Sequence, residues 1–157
     1  MKIKLICIGK TSKHFLEEGE KEYLKRLQKY IPFEKIEIPD LKNSKKYTED
    51  LIKTKEGQSI LDKLVAGDYL VLLDDKGKNF SSTEFATYYQ NLFNKGLKNI
   101  VFAVGGPYGF SEAVYQRADE KISLSKMTFS HQMVRLFFIE QTYRAMTILR
   151  NEPYHHE

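Results

Sequence analysis

The sequence predicts an α/β fold: a mostly parallel sheet with helices on both faces. Three observations carry this. Short apolar runs without helical spacing alternate with longer stretches in which apolar residues recur every three or four positions. Capping residues or glycines punctuate the junctions between them. The run Ile100 to Val104 is apolar throughout, as a strand covered by helices on each side must be.

In chain order, Ile3, Leu5, Ile6 and Ile8 form a first strand that Gly9 ends. Ser12 is then expected to cap a helix carrying Phe15, Tyr23, Leu24, Leu27 and Tyr30. Phe33 to Ile38 reads as a second strand, and its charges put it near a sheet edge. Asp40 to Tyr47 is a polar, lysine-rich loop. Thr48 opens a helix through Leu51, Ile52, Ile60, Leu61 and Leu64 that Gly67 closes. Tyr69 to Leu73 is the third strand, followed by an expected polar turn over Asp74 to Lys78. Ser81 and Glu84 have capping-box spacing and start a helix through Phe85, Tyr88, Tyr89, Leu92 and Phe93. After the fourth strand come two helical turns from Ser111 to Ala118, a fifth strand from Lys121 to Leu124, and a long last helix from Ser130 to Asn151.

With 157 residues and no internal repeat or linker, the chain reads as a single domain, 1–157. Its net charge of +4 fits an anionic partner such as RNA. The single Cys7 lies in an apolar run and is expected to be a core residue in a reducing cytoplasm. No apolar run is long enough to span a membrane, and the reading assigns neither a membrane nor a metal.

The chemistry is expected at three strand ends. Gly105-Gly106-Pro107-Tyr108-Gly109 lays the backbone bare after the fourth strand, and Ser111 can cap the helix that follows. The loop is neither a dinucleotide fingerprint nor a P-loop. Leu72-Leu73-Asp74 ends the third strand, and Ser123 to His131 follows the fifth. Together these loops can enclose one small molecule, with peptide groups at its polar edge and Leu73, Leu124 and Met127 on its flat face, which suits an adenine ring.

The last helix reads as apolar on two sides. Val134, Phe137, Phe138, Gln141, Ala145, Ile148 and Leu149 line one face, whereas Leu136, Ile139, Tyr143 and Met146 line the other. One face covers the sheet. The second is expected to meet another copy of the chain, giving a homodimer.

Gly105-Gly-Pro-x-Gly109, Ser123-Leu-Ser125 with Thr128, the segment Arg135 to Arg144 with Glu140 and Tyr143-Arg144-Ala145, and the tail Asn151-x-Pro153-Tyr154-His155 resemble the SPOUT-class methyltransferases that act on 23S ribosomal RNA. The resemblance runs the length of the chain. It implies a C-terminal deep trefoil knot, a dimer, and S-adenosyl-L-methionine bound in the knot. It also implies methylation of N3 of a pseudouridine in large-subunit ribosomal RNA within the assembled ribosome. Carried onto this chain, the cofactor contacts fall on Leu73, Gly105, Leu124, Ser125, Lys126, Met127, Thr128 and Phe129. His156 departs, standing where similar sequences often carry Lys or Arg, so no cationic RNA contact is carried onto it.

A pyrimidine N3–H must lose its proton to become a nucleophile. His155 is the expected base, Arg144 the expected stabiliser of the ring anion, and Tyr154 the residue that docks the tail. Lys42, Lys45, Lys46, Lys53 and Lys55 read first as a solvated face and otherwise as phosphate contacts. The competing readings are a non-catalytic RNA-binding module and a SPOUT enzyme for transfer RNA or another ribosomal site.

Overall fold

The computed structural model describes residues 1–156. Five strands, β1 (Lys2–Ile8), β2 (Phe33–Ile38), β3 (Asp68–Asn79), β4 (Asn99–Val104) and β5 (Glu120–Ser123), pair in parallel in the order β2-β1-β4-β3-β5. β4 and β1 are interior and almost wholly buried, whereas charged β2 is an edge, as its sequence requires. The parallel sheet with helices on both faces is therefore as expected.

The helices are α1 (His14–Leu27), α2 (Glu49–Asp62), α3 (Ser82–Asn94), α4 (Glu112–Arg117) and α5 (Met133–Leu149). Alternation along the strands sorts the core into two layers. Leu5, Phe102, Val71 and Ile122 face α1, α3 and α5, whereas Ile6, Val101, Ala103 and Leu72 face α2 and α4. Thr48 and Ser81 cap α2 and α3 as expected, the latter with both halves of a capping box. Tyr88 and Tyr89 pack, Tyr89 being fully buried and bonded to Thr142 at 2.8 Å.

Four expectations are corrected. Ser12 does not cap α1. Its amide donates to Gln132 Oε1 at 2.8 Å, which ties the end of β1 to the start of α5, and the helix begins one residue later without a side-chain cap. The helix expected to run through Leu64 and close at Gly67 ends earlier, at Asp62, while the loop from Asp40 to Tyr47 is a loop as expected, with a single 3₁₀ turn at Ser44–Lys46. The long last helix begins at Met133, although Ser130 Oγ still accepts the Met133 amide at 3.1 Å.

The fourth correction concerns the faces of α5. Its buried arc is Arg135, Phe138, Ile139, Thr142, Ala145 and Met146, because the helix lies in a trough between α1 and α3 and sinks that whole arc. Ile139 and Met146, expected to await a second copy, are buried within one chain. The apolar side chains left facing outward are Met133, 41 % exposed, and Phe137, 37 % exposed.

Candidate active site

The third strand does not stop at Leu73. β3 pairs with β5 through Leu73↔Ile122, throws out Asp74 to Gly77, and resumes at Lys78↔Ile122. The polar stretch read as a terminal turn is thus a bulge inside a longer strand. Gly77 makes it feasible, because a Cβ there would stand 2.5–2.7 Å from the Ile122 backbone. The bulge forms one wall of a cavity of about 570 Å³. The Gly-rich loop after β4 and the segment after β5 form the others, and Val134 from α5 also lines it.

In the Gly-rich loop only Gly109 has positive φ, at +84°. Its amide donates to the Gly106 carbonyl at 3.1 Å and closes a tight turn. Gly105 and Gly106 sit where space is tight instead. A Cβ on Gly105 would lie 3.3–3.4 Å from the Gly109 backbone, and one on Gly106 2.6–2.8 Å from the carboxyl oxygens of Glu56. Glu56 is only 8 % exposed, and its Oε1 has no hydrogen-bond partner. Burial and the neighbouring Asp40 push its pKa up.

The segment after β5 is held by its own serines. Ser123 Oγ donates to the Ser125 carbonyl at 2.7 Å, and Ser125 Oγ accepts the Met127 amide at 2.9 Å. Met127 is 77 % exposed at the cavity mouth, and the Phe129 ring lies 4.8 Å from that of Phe137. The far end is fixed by Arg135, which is fully buried. Its guanidinium donates to the carbonyls of Ile8 (2.7 Å), Gly9 (2.9 Å) and His131 (3.0 Å) and to Thr11 Oγ1 (3.2 Å).

Asp74 is the half-buried carboxylate of the cavity wall. Its Oδ2 accepts the Tyr115 hydroxyl, and its Oδ1 accepts the Lys76 amide at 2.8 Å. Burial pushes its pKa up, but these hydrogen bonds outweigh burial and hold it below the usual aspartate value. His131, also in the wall, is held below the usual imidazole value by burial and then by Arg135, against an opposing pull from Asp40.

A second cluster lies at the other end of α5. The helix closes with paired reverse bonds, Glu152 N to the Thr147 carbonyl and Asn151 N to the Ile148 carbonyl, each 3.0 Å, with Asn151 at φ +56°. Pro153 follows and the tail folds back. Tyr154 Oη donates to Glu140 at 2.9 Å, and its ring lies 4.6 Å below the Arg144 guanidinium and 4.8 Å from the Tyr143 ring. Glu140 grips Arg144 through Nη2 (2.6 Å) and Nε (3.2 Å). Arg144 Nη1 donates to His155 Nδ1 at 3.1 Å. Tyr30 bonds Glu152 and is pushed up to about 12 by that bond and by burial.

Leu73, Gly105, Leu124, Ser125, Met127, Thr128 and Phe129 line the cavity, whereas Lys126 is exposed and is not among its lining residues. His155, Arg144 and Tyr154 come together with one another, but not with the cavity. Along α5, Arg144 lies about 15 Å beyond Val134. Tyr115 of the wall and Tyr23, which meets Tyr154 at 3.3 Å, read in the sequence only as helical residues. Their periodicity signals packing alone.

A family model described as "Predicted SPOUT methyltransferase" matches residues 1–155. Among similar proteins, the chain is 63 % identical over 157 residues to the "Ribosomal RNA large subunit methyltransferase H" of Parabacteroides distasonis, covering 100 % of both chains. It is 62 % identical over 156 residues to the protein of the same name from Christiangramia forsetii, covering 99 % of each. To that from Bacteroides thetaiotaomicron it is 52 % identical over 157 residues, again covering 100 % of both.

Proposed function

This chain belongs to the SPOUT methyltransferase family, and from that premise we propose that it transfers a methyl group from S-adenosyl-L-methionine to N3 of a pseudouridine in 23S ribosomal RNA, acting on assembled ribosomes in the cytoplasm. The observation that carries this reading is the cavity at the β3 bulge and the ends of β4 and β5, in a chain that matches large-subunit ribosomal RNA methyltransferases end to end. Its volume of about 570 Å³ suits a nucleoside-sized ligand, and its walls combine bare backbone, apolar side chains and a fixed carboxylate. The net charge of +4 supports an RNA partner. The deep knot belongs to the same proposal. After β5 the chain returns across the tops of β3 and β4 to Arg135 and β1, and passing it through the Gly-rich loop gives the trefoil.

S-adenosylmethionine, when bound, supplies an electrophilic methyl group on a cationic sulfur. The residues of the chain orient the partners and handle one proton. Leu73, Leu124 and Val134 offer apolar surface to a flat ring, and the backbone of the Gly-rich loop and of Ser123 to Ser125 offers donors and acceptors to its edge. Arg144, held in plane by Glu140 and stacked on Tyr154, stabilises the pyrimidine anion left when the N3 proton departs. His155 Nδ1, which accepts from Arg144 in the free chain, is the nitrogen whose lone pair can take that proton once the pyrimidine occupies the Arg144 hydrogen bond in its place.

In one chain the two halves are a helix apart, so the complete site is proposed to form between two copies. Antiparallel packing of two α5 helices about position 139 would bring residue 144 of one opposite residue 134 of the other, which lines the cavity. The outward Met133 and Phe137 are the apolar contacts for this pairing. The test is mass mapping of nucleosides in 23S ribosomal RNA from cells with and without the gene, together with methyl transfer to purified ribosomes. Loss of one methylated pseudouridine supports the reading, whereas an unchanged map with altered transfer RNA overturns the substrate.

A further inference from the structure

We propose that Asp74 is the residue by which the cavity prefers a sulfonium methyl donor to the neutral thioether left after transfer. The inference rests on the reading of this cavity as the donor site and concerns its specificity. Three features of the wall carry it.

Asp74 is fixed. Both carboxyl oxygens are engaged, one by the Tyr115 hydroxyl and one by the Lys76 amide, and the Gly77 bulge sets the backbone that presents them. Asp74 also has no contact cation: none of the ion pairs among the described residues involves it. Two neutral donors thus preserve a negative charge that no contact cation cancels, and its depressed pKa agrees. Lys121 acts on it only through solvent from outside the cavity lining, and Asp75 of the same wall is exposed, so Asp74 is the shielded carboxylate of the two. The remainder of the wall does not oppose a cation. Leu73, Val104, Leu124, Phe129 and Val134 are apolar, so the field of a carboxylate is weakly screened across the space they enclose. His131 is held towards its neutral form, and Lys76 is exposed to solvent, where its charge is screened.

Donor and product share the adenosine and the amino-acid group. They differ by one methyl and one positive charge on sulfur. A fixed negative charge in the cavity wall acts on that difference, binding the donor more tightly and easing departure of the product. This answers a problem of turnover, because a cavity built only for adenine and ribose would retain its product as firmly as its donor.

The experiment is calorimetric titration of the unaltered protein, Asp74→Asn and Asp74→Glu with S-adenosylmethionine and with S-adenosylhomocysteine. Asp74→Asn keeps the shape and a bond to Tyr115 while removing the charge. It should weaken the donor about tenfold, which is about 1.4 kcal/mol, and leave the product within about twofold. Asp74→Glu keeps the charge and should retain most of the preference. Equal weakening of both ligands by Asp74→Asn would mean that the carboxylate holds a part common to both, and would overturn the proposal. So would an unchanged ratio, or loss of preference in the charge-conserving variant. If neither compound binds the unaltered protein, the donor-site reading falls and the Asp74 proposal with it.

Discussion

Arg135 Nη1 donates to the Gly9 carbonyl at 2.9 Å, a bond between residues 126 apart in sequence and one wholly removed from water. The same guanidinium holds the His131 carbonyl, so one side chain joins the end of β1 to the segment that walls the cavity. Lysine has a single nitrogen and cannot reach three diverging carbonyls at once. Arg135→Lys should therefore destabilise the fold by about 3 kcal/mol, from buried carbonyls left unpaired. It should also weaken donor binding at temperatures where the variant is folded. Urea denaturation and calorimetry measure the two effects separately, and a stable variant with unchanged affinity would show that the Arg135 bonds do not order the segment.

Glu56 gives a pH dependence with a definite sign. Its folded pKa is raised, so the folded chain binds the proton more readily than the unfolded one. The associated stability is fully present below the unfolded value near 4.5 and is lost as pH rises through the folded pKa. At neutral pH the carboxylate with its unpartnered Oε1 is a liability beside Gly106. Glu56→Gln should raise the melting temperature at pH 7.5 by ~2–4 °C, corresponding to about 1 kcal/mol, and should lose that advantage below pH 4.5. Thermal melts at the two pH values decide it.

Much of the fold and of the cavity wall is legible in the sequence, and the parts that are not share a cause. The strands, the capped helices and the three cavity loops follow from apolar runs and from residues such as Ser81, Ser111 and Gly109, whose meaning is local. The bulge over Asp74 to Gly77 was read as a turn because its polar residues resemble one. Only the close approach of Gly77 to Ile122 on another strand reveals it. Spacing misassigns the α5 faces for the same reason. Apolar spacing locates an apolar arc, but it cannot say that helices flank it on both sides and bury Ile139 together with Phe138. Tyr115 and Arg135 act through partners distant in sequence, and periodicity carries no record of them.

The α5 geometry reverses the places that apolar spacing gives two residues: Ile139, expected to meet a second copy, is buried, and Phe137, expected against the sheet, faces outward. Ile139→Asp would bury a carboxylate among Phe138, Ala145 and Met146, and should leave little folded protein. Phe137→Asp lies on the outward side and should preserve the fold while opposing association. Light scattering should give the mass of two chains for the unaltered protein and of one for Phe137→Asp, with unchanged circular dichroism. A folded Phe137→Asp dimer would remove this face from the interface.

The tail offers the sharpest test of a site shared between copies. Tyr154 and His155 are ordered against Glu140, Arg144 and Tyr23 of their own chain, at the end of α5 away from the cavity. Their removal should therefore leave donor affinity nearly unchanged. It should nevertheless lower methyl transfer to ribosomes by about a hundredfold or more, because Arg144 would lose both its stacking partner and the imidazole beside it. His155→Ala alone should act in the same direction with Arg144 still gripped by Glu140. Gly105→Val fails differently. Its side chain would crowd the Gly109 backbone and deform the loop, which abolishes donor binding while the tail cluster stays whole. If each site takes its cavity from one chain and its tail from the other, a heterodimer of these two variants has one intact site and should regain up to half the activity per dimer. If the site were built within one chain, both sites of the mixed dimer would be broken and activity would stay at background. Mixing the two proteins, with exchange verified by mass spectrometry, distinguishes the outcomes, and full activity of the tail-deleted chain would exclude the tail from the reaction.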